Sequence, residues 1–299
     1  MAQNWENILH VPDTMSAWPW PRKLNPLYEE IEAESSAWLE SFEPYTRESQ
    51  HAHNRCNFGR LATLVWGDAP RGTLHFTDRL LPTRSRRPFW TEPLRIASDL
   101  IQLLFVIDEY TDMETAAGVR EISDIILDAL NNTDKPRPSG ELIVGEIARE
   151  YVHISLHLPI IFLWHTRSAQ RTDVPDSFWA RGRAIATPQA EKHFLAAMAY
   201  YLQGVAQQVD DRDKHSICTV DAYTEARRKD SAMDACFMPG ELHLSIPDEA
   251  FYHPVMKELR DASNDLVVLD NVSNLTSNQT LCGPDIHYHG SNLRLMHAR

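Results

Sequence analysis

One apolar segment that ends in three carboxylates constrains this chain more than any other feature. Residues 100–107 are apolar except for one glutamine, and Asp108, Glu109 and Asp112 follow within five positions. In a helix, Asp108 and Asp112 are one turn apart on the same face. A helix that is apolar nearly all round is buried. The pattern therefore predicts a buried helix with acidic side chains at its carboxyl end.

Carboxylates at the mouth of an apolar interior need a partner, because unpaired buried charge is costly. Mg²⁺ takes oxygen ligands and is typically held by one or two carboxylates together with the phosphates of a substrate. Acidic residues at helix ends also occur as solvated caps or in ion pairs. The segment by itself leaves a metal site and a solvated cap both open.

Charge and composition exclude some classes of function. The 299 residues are 43% hydrophobic and 24% charged, as in a globular protein of one large or two small domains. The net charge of −13 argues against a non-specific nucleic-acid binder, which needs a basic face. A polyanionic substrate would need metal ions and local arginine or lysine to be bound.

The cysteines and the hydropathy predict the cellular compartment of the protein. The four cysteines are far apart in the sequence, which favours reduced thiols over disulfides or a zinc site. No signal-peptide pattern opens the sequence, and the uninterrupted apolar runs are shorter than the roughly 18 residues of a membrane span. We expect a cytoplasmic protein with no membrane span, no nucleic acid and no obligate protein partner.

Apolar residues at helical spacing predict an all-α fold, a bundle whose central cavity contains the site. Strand alternation, internal repeats and heptads are not evident in the sequence. Residues 1–26 are proline-rich and predict an irregular strap, and 72–91 predict a loop that is unusually long for a compact domain. The predicted helices are 26–42, 58–66, 92–112, 118–130, 142–164 with a kink at Pro159, 188–209, 220–232 and 251–269.

Two further segments have the chemistry to complete a site with the acidic helix end. The first holds the pair Arg227 and Arg228, whose planar guanidinium groups suit phosphate oxygens, although paired arginines in a helix are also common on solvated faces. The second is the end of the last predicted helix, where Asp270 and Asn271 offer oxygen ligands for Mg²⁺.

In this order, the segments resemble the class I terpene synthases of mushroom-forming fungi, the sesquiterpene cyclases, and most closely the protoilludene synthase branch. Residues 18–26 are similar to the opening of that branch, and 105–112 are similar to its form of the D-D/E-x-x-D motif. Residues 223–237 resemble the segment that carries a diphosphate-sensing arginine. The resemblance covers about 15–71 and 92–271.

The resemblance implies a class I terpene synthase (isoprenoid synthase) helical bundle around a central apolar cavity. It implies that farnesyl diphosphate is ionised with the help of three Mg²⁺ ions, and that the carbocation cyclises to a sesquiterpene like protoilludene. Asp108 and Arg228 would be catalytic, and Asp108, Asp112 and Asn271 would bind metal. Arg228 and Phe105 would bind the substrate, with Trp164 as a further candidate for the cavity wall.

The second metal motif of the family, N-D-x-x-S-x-x-x-E, is only partly present. With the motif placed at Asn271, Val272 replaces the aspartate, and Leu275 and Gln279 replace the serine and the glutamate. With the motif placed at Asn264, the serine and the glutamate are replaced by Val268 and Val272. The family's Arg-Tyr pair is also absent.

We therefore expect a cyclase domain over 1–271, interrupted by an insertion at 72–91, and a non-homologous, disordered tail over 272–299. Translated introns would explain both the insertion and the tail, and the cDNA sequence tests this. Two alternatives remain: a truncated, inactive helical protein, and a prenyl diphosphate chain-elongating synthase.

Overall fold

The computed structural model describes residues 19, 21–67, 91–149, 178–215 and 219–278, and every regular element among them is a helix. In chain order the helices are α1 Tyr28–Glu40, α2 Arg47–Cys56, α3 Phe58–Val65, α4 Thr91–Thr111, α5 Ala116–Asn131, α6 Ile143–Arg149, α7 Phe178–Ile185, α8 Pro188–Asp213, α9 Val220–Asp230, α10 Met233–Cys236, α11 Met238–Glu241, α12 Asp248–Phe251 and α13 Pro254–Asn278. The predicted all-α class is confirmed.

The acidic segment ends the central helix of the fold. Helix α4 packs against α1, α3 and α7, and Leu100, Leu103 and Ile107 are fully buried in the main core cluster. Each such side chain contributes about 1.5–3 kcal/mol when it is removed from water. This burial fixes the rotation of α4 about its axis, and so fixes which way the residues of its last turn point.

Helix α8 forms the opposite side of the core and packs against α5 and α9. It starts where Thr187 accepts a hydrogen bond from the Ala190 amide, with a proline in the first turn. Gly204 allows α9 to approach, since a Cβ there would lie 2.8 Å from the Asp230 amide nitrogen and 2.8 Å from the Lys229 carbonyl carbon. The last turn of α9 is therefore pressed against α8.

A break separates α9 from the short helices that follow it. Ala232 has a φ of 57°, in the left-handed region that a residue with a Cβ rarely adopts. Beyond the break, α13 packs along α9 and extends to Asn278. Residues 272–278, which begin the tail predicted to be disordered, are therefore helical.

Several predictions differ from the structure or fall outside its described residues. Helix α2 was not predicted, because it buries none of its residues and therefore has no apolar stripe. The predicted helix 142–164 is described only as α6, so Pro159 and Trp164 lie outside the described residues. The same holds for most of 1–20, for 68–90 and for 279–299. Among the helices that are described, none combines the length and the apolarity needed to cross a membrane.

Candidate active site

The carboxyl end of α4 carries an acidic cluster around Asp108. The pKa of Asp108 is raised to about 7, first by burial and then by the carboxylates of Asp112, Asp230 and Glu109, while the Arg227 guanidinium opposes the rise. The Asp112 amide donates to the Asp108 carbonyl oxygen at 3.0 Å, so the helical turn continues through both residues. The structure thus brings Asp108 and Asp112 together, as the sequence predicted.

Helix α9 supplies the opposite wall of the cluster. Arg227 is buried and donates a hydrogen bond from Nη1 to Asp230 Oδ1 at 2.7 Å, one turn along the same helix. Burial raises the pKa of Asp230 to about 6, against the lowering effect of Arg227. Arg227 Nε is also buried, and no hydrogen-bond acceptor meets it among the described residues. The buried Arg227 guanidinium is therefore paired with Asp230 and also acts electrostatically on Asp108.

Arg228, the arginine singled out from the sequence, has a different partner in the structure. Its Nε and Nη2 donate to the two carboxylate oxygens of Asp265 on α13, both at 2.6 Å, and Asp261 lies 3.8 Å from Nη1. About a third of the Arg228 side chain is exposed. Its assignment as the diphosphate sensor stays a prediction.

Arg227 was the residue that the sequence reasoning passed over. Adjacent residues of a helix point about 100° apart, so Arg227 and Arg228 cannot both face Asp108. The available signal was the spacing of Arg227 and Asp230 at i and i+3, which places the pair on one face of α9.

The remaining predicted residues lie on α4 and α13. The Phe105 ring is half-buried and stacks on the Phe58 ring with centroids 3.5 Å apart. Asn271 is a residue of helix α13, but its side chain is outside the described part of the structure. The structure therefore assembles the α4–α9 part of the site and leaves the contribution of Asn271 as a prediction.

The donor set at Asp108 fits a hard cation that a substrate helps to bind. In the described ranges, no three or more histidine, cysteine, aspartate or glutamate side chains come close enough to hold a metal by themselves. Mg²⁺ does not require such a cage, because one or two carboxylates and substrate phosphates suffice. The raised pKa of Asp108 shows that its negative charge is poorly compensated, which a divalent cation would correct.

Residues 99–272 match the family model described as terpene synthase family 2, C-terminal metal binding. The chain belongs to this family. The match begins in α4 and ends in α13, so it includes residues 105–112, residues 223–237 and Asn271, and it does not include residues 18–26.

Named fungal proteins are similar to this terpene synthase chain. It is 39% identical to sesquiterpene synthase 14 of Postia placenta, over 94% of this chain and 66% of the relative. It is 36% identical to Delta(6)-protoilludene synthase 18 of the same fungus, over 88% of this chain and 62% of the relative. The chain thus spans slightly less than two thirds of the length of these relatives.

Solved structures agree on the fold. A hedycaryol synthase aligns with a TM-score of 0.62 at 16% identity, over 97% of this chain and 77% of that one. A cucumene synthase variant aligns with the same TM-score and identity, over 93% and 76%. The predicted class I terpene synthase fold is confirmed.

Proposed function

We propose that this chain is a sesquiterpene cyclase that converts farnesyl diphosphate to a cyclic hydrocarbon like protoilludene, with three Mg²⁺ ions. The observation that carries the proposal is the poorly compensated Asp108 cluster facing Arg227, inside the segment that matches the terpene synthase model. The names of the similar fungal synthases support the substrate class and the kind of product.

The residues of the site have distinct roles in this proposal. Asp108 and Asp112 would hold the metal, with Asn271 as a further ligand from α13. When bound, Mg²⁺ supplies Lewis-acid stabilisation of the charge on a leaving diphosphate. Arg227 would donate hydrogen bonds to the diphosphate oxygens. Arg228 would do the same once its ion pair with Asp265 opens.

The apolar side of the site would protect the carbocation. Phe105 offers an aromatic face, and such faces attract cations. Exclusion of water prevents early capture of the cation. The dispersed cysteines add the expectation of a cytoplasmic enzyme, and Cys56 and Cys236 are free thiols in the structure.

The experiment is incubation of the purified chain with farnesyl diphosphate and Mg²⁺, followed by gas chromatography with mass spectrometry of the volatiles. A cyclic C15 hydrocarbon that disappears in Asp108→Asn is the expected result. Asp128→Asn is the matched control, because Asp128 is a surface carboxylate paired with Arg137. A longer prenyl diphosphate would favour the chain-elongating alternative, and absence of any product would favour the inactive one.

A further inference from the structure

An arginine from α8 holds the turn that follows the acidic cluster. Arg212 donates from Nη1 to the Asp112 carbonyl oxygen at 2.7 Å and from Nη2 to the Glu114 carbonyl oxygen at 2.6 Å. The two acceptors lie between the end of α4 and the start of α5. A planar guanidinium that binds two carbonyls fixes the path of the chain between them.

The end of α4 needs such a cation more than an ordinary helix end does. The last carbonyl groups of a helix have no partner within the helix, and its carboxyl end carries a partial negative charge. Here Asp108, Glu109 and Asp112 add their own charges to the same turn. The single hydroxyl proton of Thr111 adds one donor to this turn: its Oγ1 lies 2.8 Å from the Ile107 carbonyl oxygen and 3.2 Å from the Asp108 carbonyl oxygen. Arg212 donates hydrogen bonds to the next carbonyl oxygens, those of Asp112 and Glu114, and supplies positive charge.

The position of Arg212 is itself well determined. The carboxylate of Asp210, two residues earlier on α8, forms ion pairs with Arg120 Nη2 of α5 at 3.2 Å and with Lys214 Nζ at 2.8 Å. The Asp213 carboxylate lies 3.6 Å from Arg212 Nε. The last turn of α8 is thus anchored to α5, and it presents Arg212 to the turn between α4 and α5.

We propose that Arg212 is a positioning residue that orients Asp112 for metal binding, an inference that rests on the proposed function. Its two hydrogen bonds end on main-chain oxygens, so they fix the backbone at Asp112 and thereby the direction of its side chain relative to Asp108. Groups that orient metal ligands in this way typically change metal affinity by about 10- to 100-fold when they are mutated.

The test is isothermal titration of the full chain with Mn²⁺ in the presence of inorganic diphosphate, for wild type, Arg212→Gln, Arg212→Lys, Asp108→Asn and the control Lys192→Gln. We expect at least about tenfold weaker binding in Arg212→Gln and an intermediate loss in Arg212→Lys, which keeps the charge but not the fork. Lys192→Gln should bind like wild type, because the exposed Lys192 pairs with Asp248 at the opposite end of α8. Hydrogen exchange of residues 112–116 should be faster in Arg212→Gln.

The outcomes separate the two claims. Unchanged Mn²⁺ affinity in a folded Arg212→Gln, together with lost affinity in Asp108→Asn, overturns the role of Arg212 and leaves the proposed function intact. Unchanged affinity in Asp108→Asn overturns the metal site and the role of Arg212 with it. Should Arg212→Gln not fold, the affinity of Arg212→Lys decides, and a value equal to that of wild type overturns the inference.

Discussion

Replacing Asp108 by asparagine should stabilise the metal-free protein relative to wild type as the pH rises from 5 to 8. The pKa of Asp108 rises from 3.8 to about 7 on folding, chiefly through burial. A group with a raised pKa contributes stability below its unfolded value, and that stability is lost as the pH rises to the folded value. Between about pH 4 and pH 7 the wild-type protein should therefore lose stability that Asp108→Asn retains.

The size of the effect follows from the same values. A rise from 3.8 to about 7 corresponds to roughly 4 kcal/mol, at ~1.36 kcal/mol per pH unit. Because Asp112 and Asp230 share the cluster, protons are shared among these groups and the change at one position is smaller. We expect Asp108→Asn to gain about 2–4 kcal/mol over wild type between pH 5 and pH 8.

The assay is urea unfolding followed by circular dichroism, with EDTA present, at pH 5, 6, 7 and 8. A stability difference between Asp108→Asn and wild type that stays constant across this range would refute the reasoning. The control is Asp128→Asn, because a hydrogen bond from Arg137 lowers the pKa of that exposed carboxyl. The ionised Asp128 carboxylate therefore stabilises the folded protein, which is the opposite sign from Asp108. Asp128→Asn should not gain stability relative to wild type as the pH rises.

Three further outcomes are expected. Arg227→Lys should reduce diphosphate release from farnesyl diphosphate by about tenfold or more, and more than Arg228→Lys, because Arg227 faces Asp108; the opposite order would return the sensing role to Arg228. Gly204→Ala should cost about 1–3 kcal/mol in urea unfolding, since its Cβ would meet the backbone of α9; an unchanged midpoint would contradict that close approach. Ala232→Gly should gain about 0.5–1 kcal/mol in the same assay by relieving a positive φ, and a loss would show that the methyl group matters more than the strain.

The sequence predicts the elements whose burial is periodic. Helices α4 and α8 were predicted because their apolar residues repeat at helical spacing, and both are buried in the core. Helix α2 carries no such signal, because it buries no residue and is marked only by its cap at Thr46. The short helices after Ala232 follow a residue with a positive φ, and an alanine in the sequence does not predict that backbone conformation.

The site was predictable along α4 but not across to α9. The spacing of Asp108 and Asp112 follows from helix geometry alone. The choice between Arg227 and Arg228 depends on which face of α9 packs inward, and the approach at Gly204 and the contact with α13 decide that. Arg212 contacts main-chain atoms about 100 residues earlier in the chain, and no spacing rule points to such a contact.

The central claim is that the Asp108 cluster uses a divalent cation to ionise farnesyl diphosphate. The most direct measurement is the release of inorganic diphosphate from farnesyl diphosphate, with Mg²⁺ or with EDTA, by wild type, Asp108→Asn and Asp128→Asn. We predict release by wild type and Asp128→Asn with Mg²⁺ only, and none by Asp108→Asn. Release by wild type that persists in EDTA, or that Asp108→Asn retains, would contradict the claim.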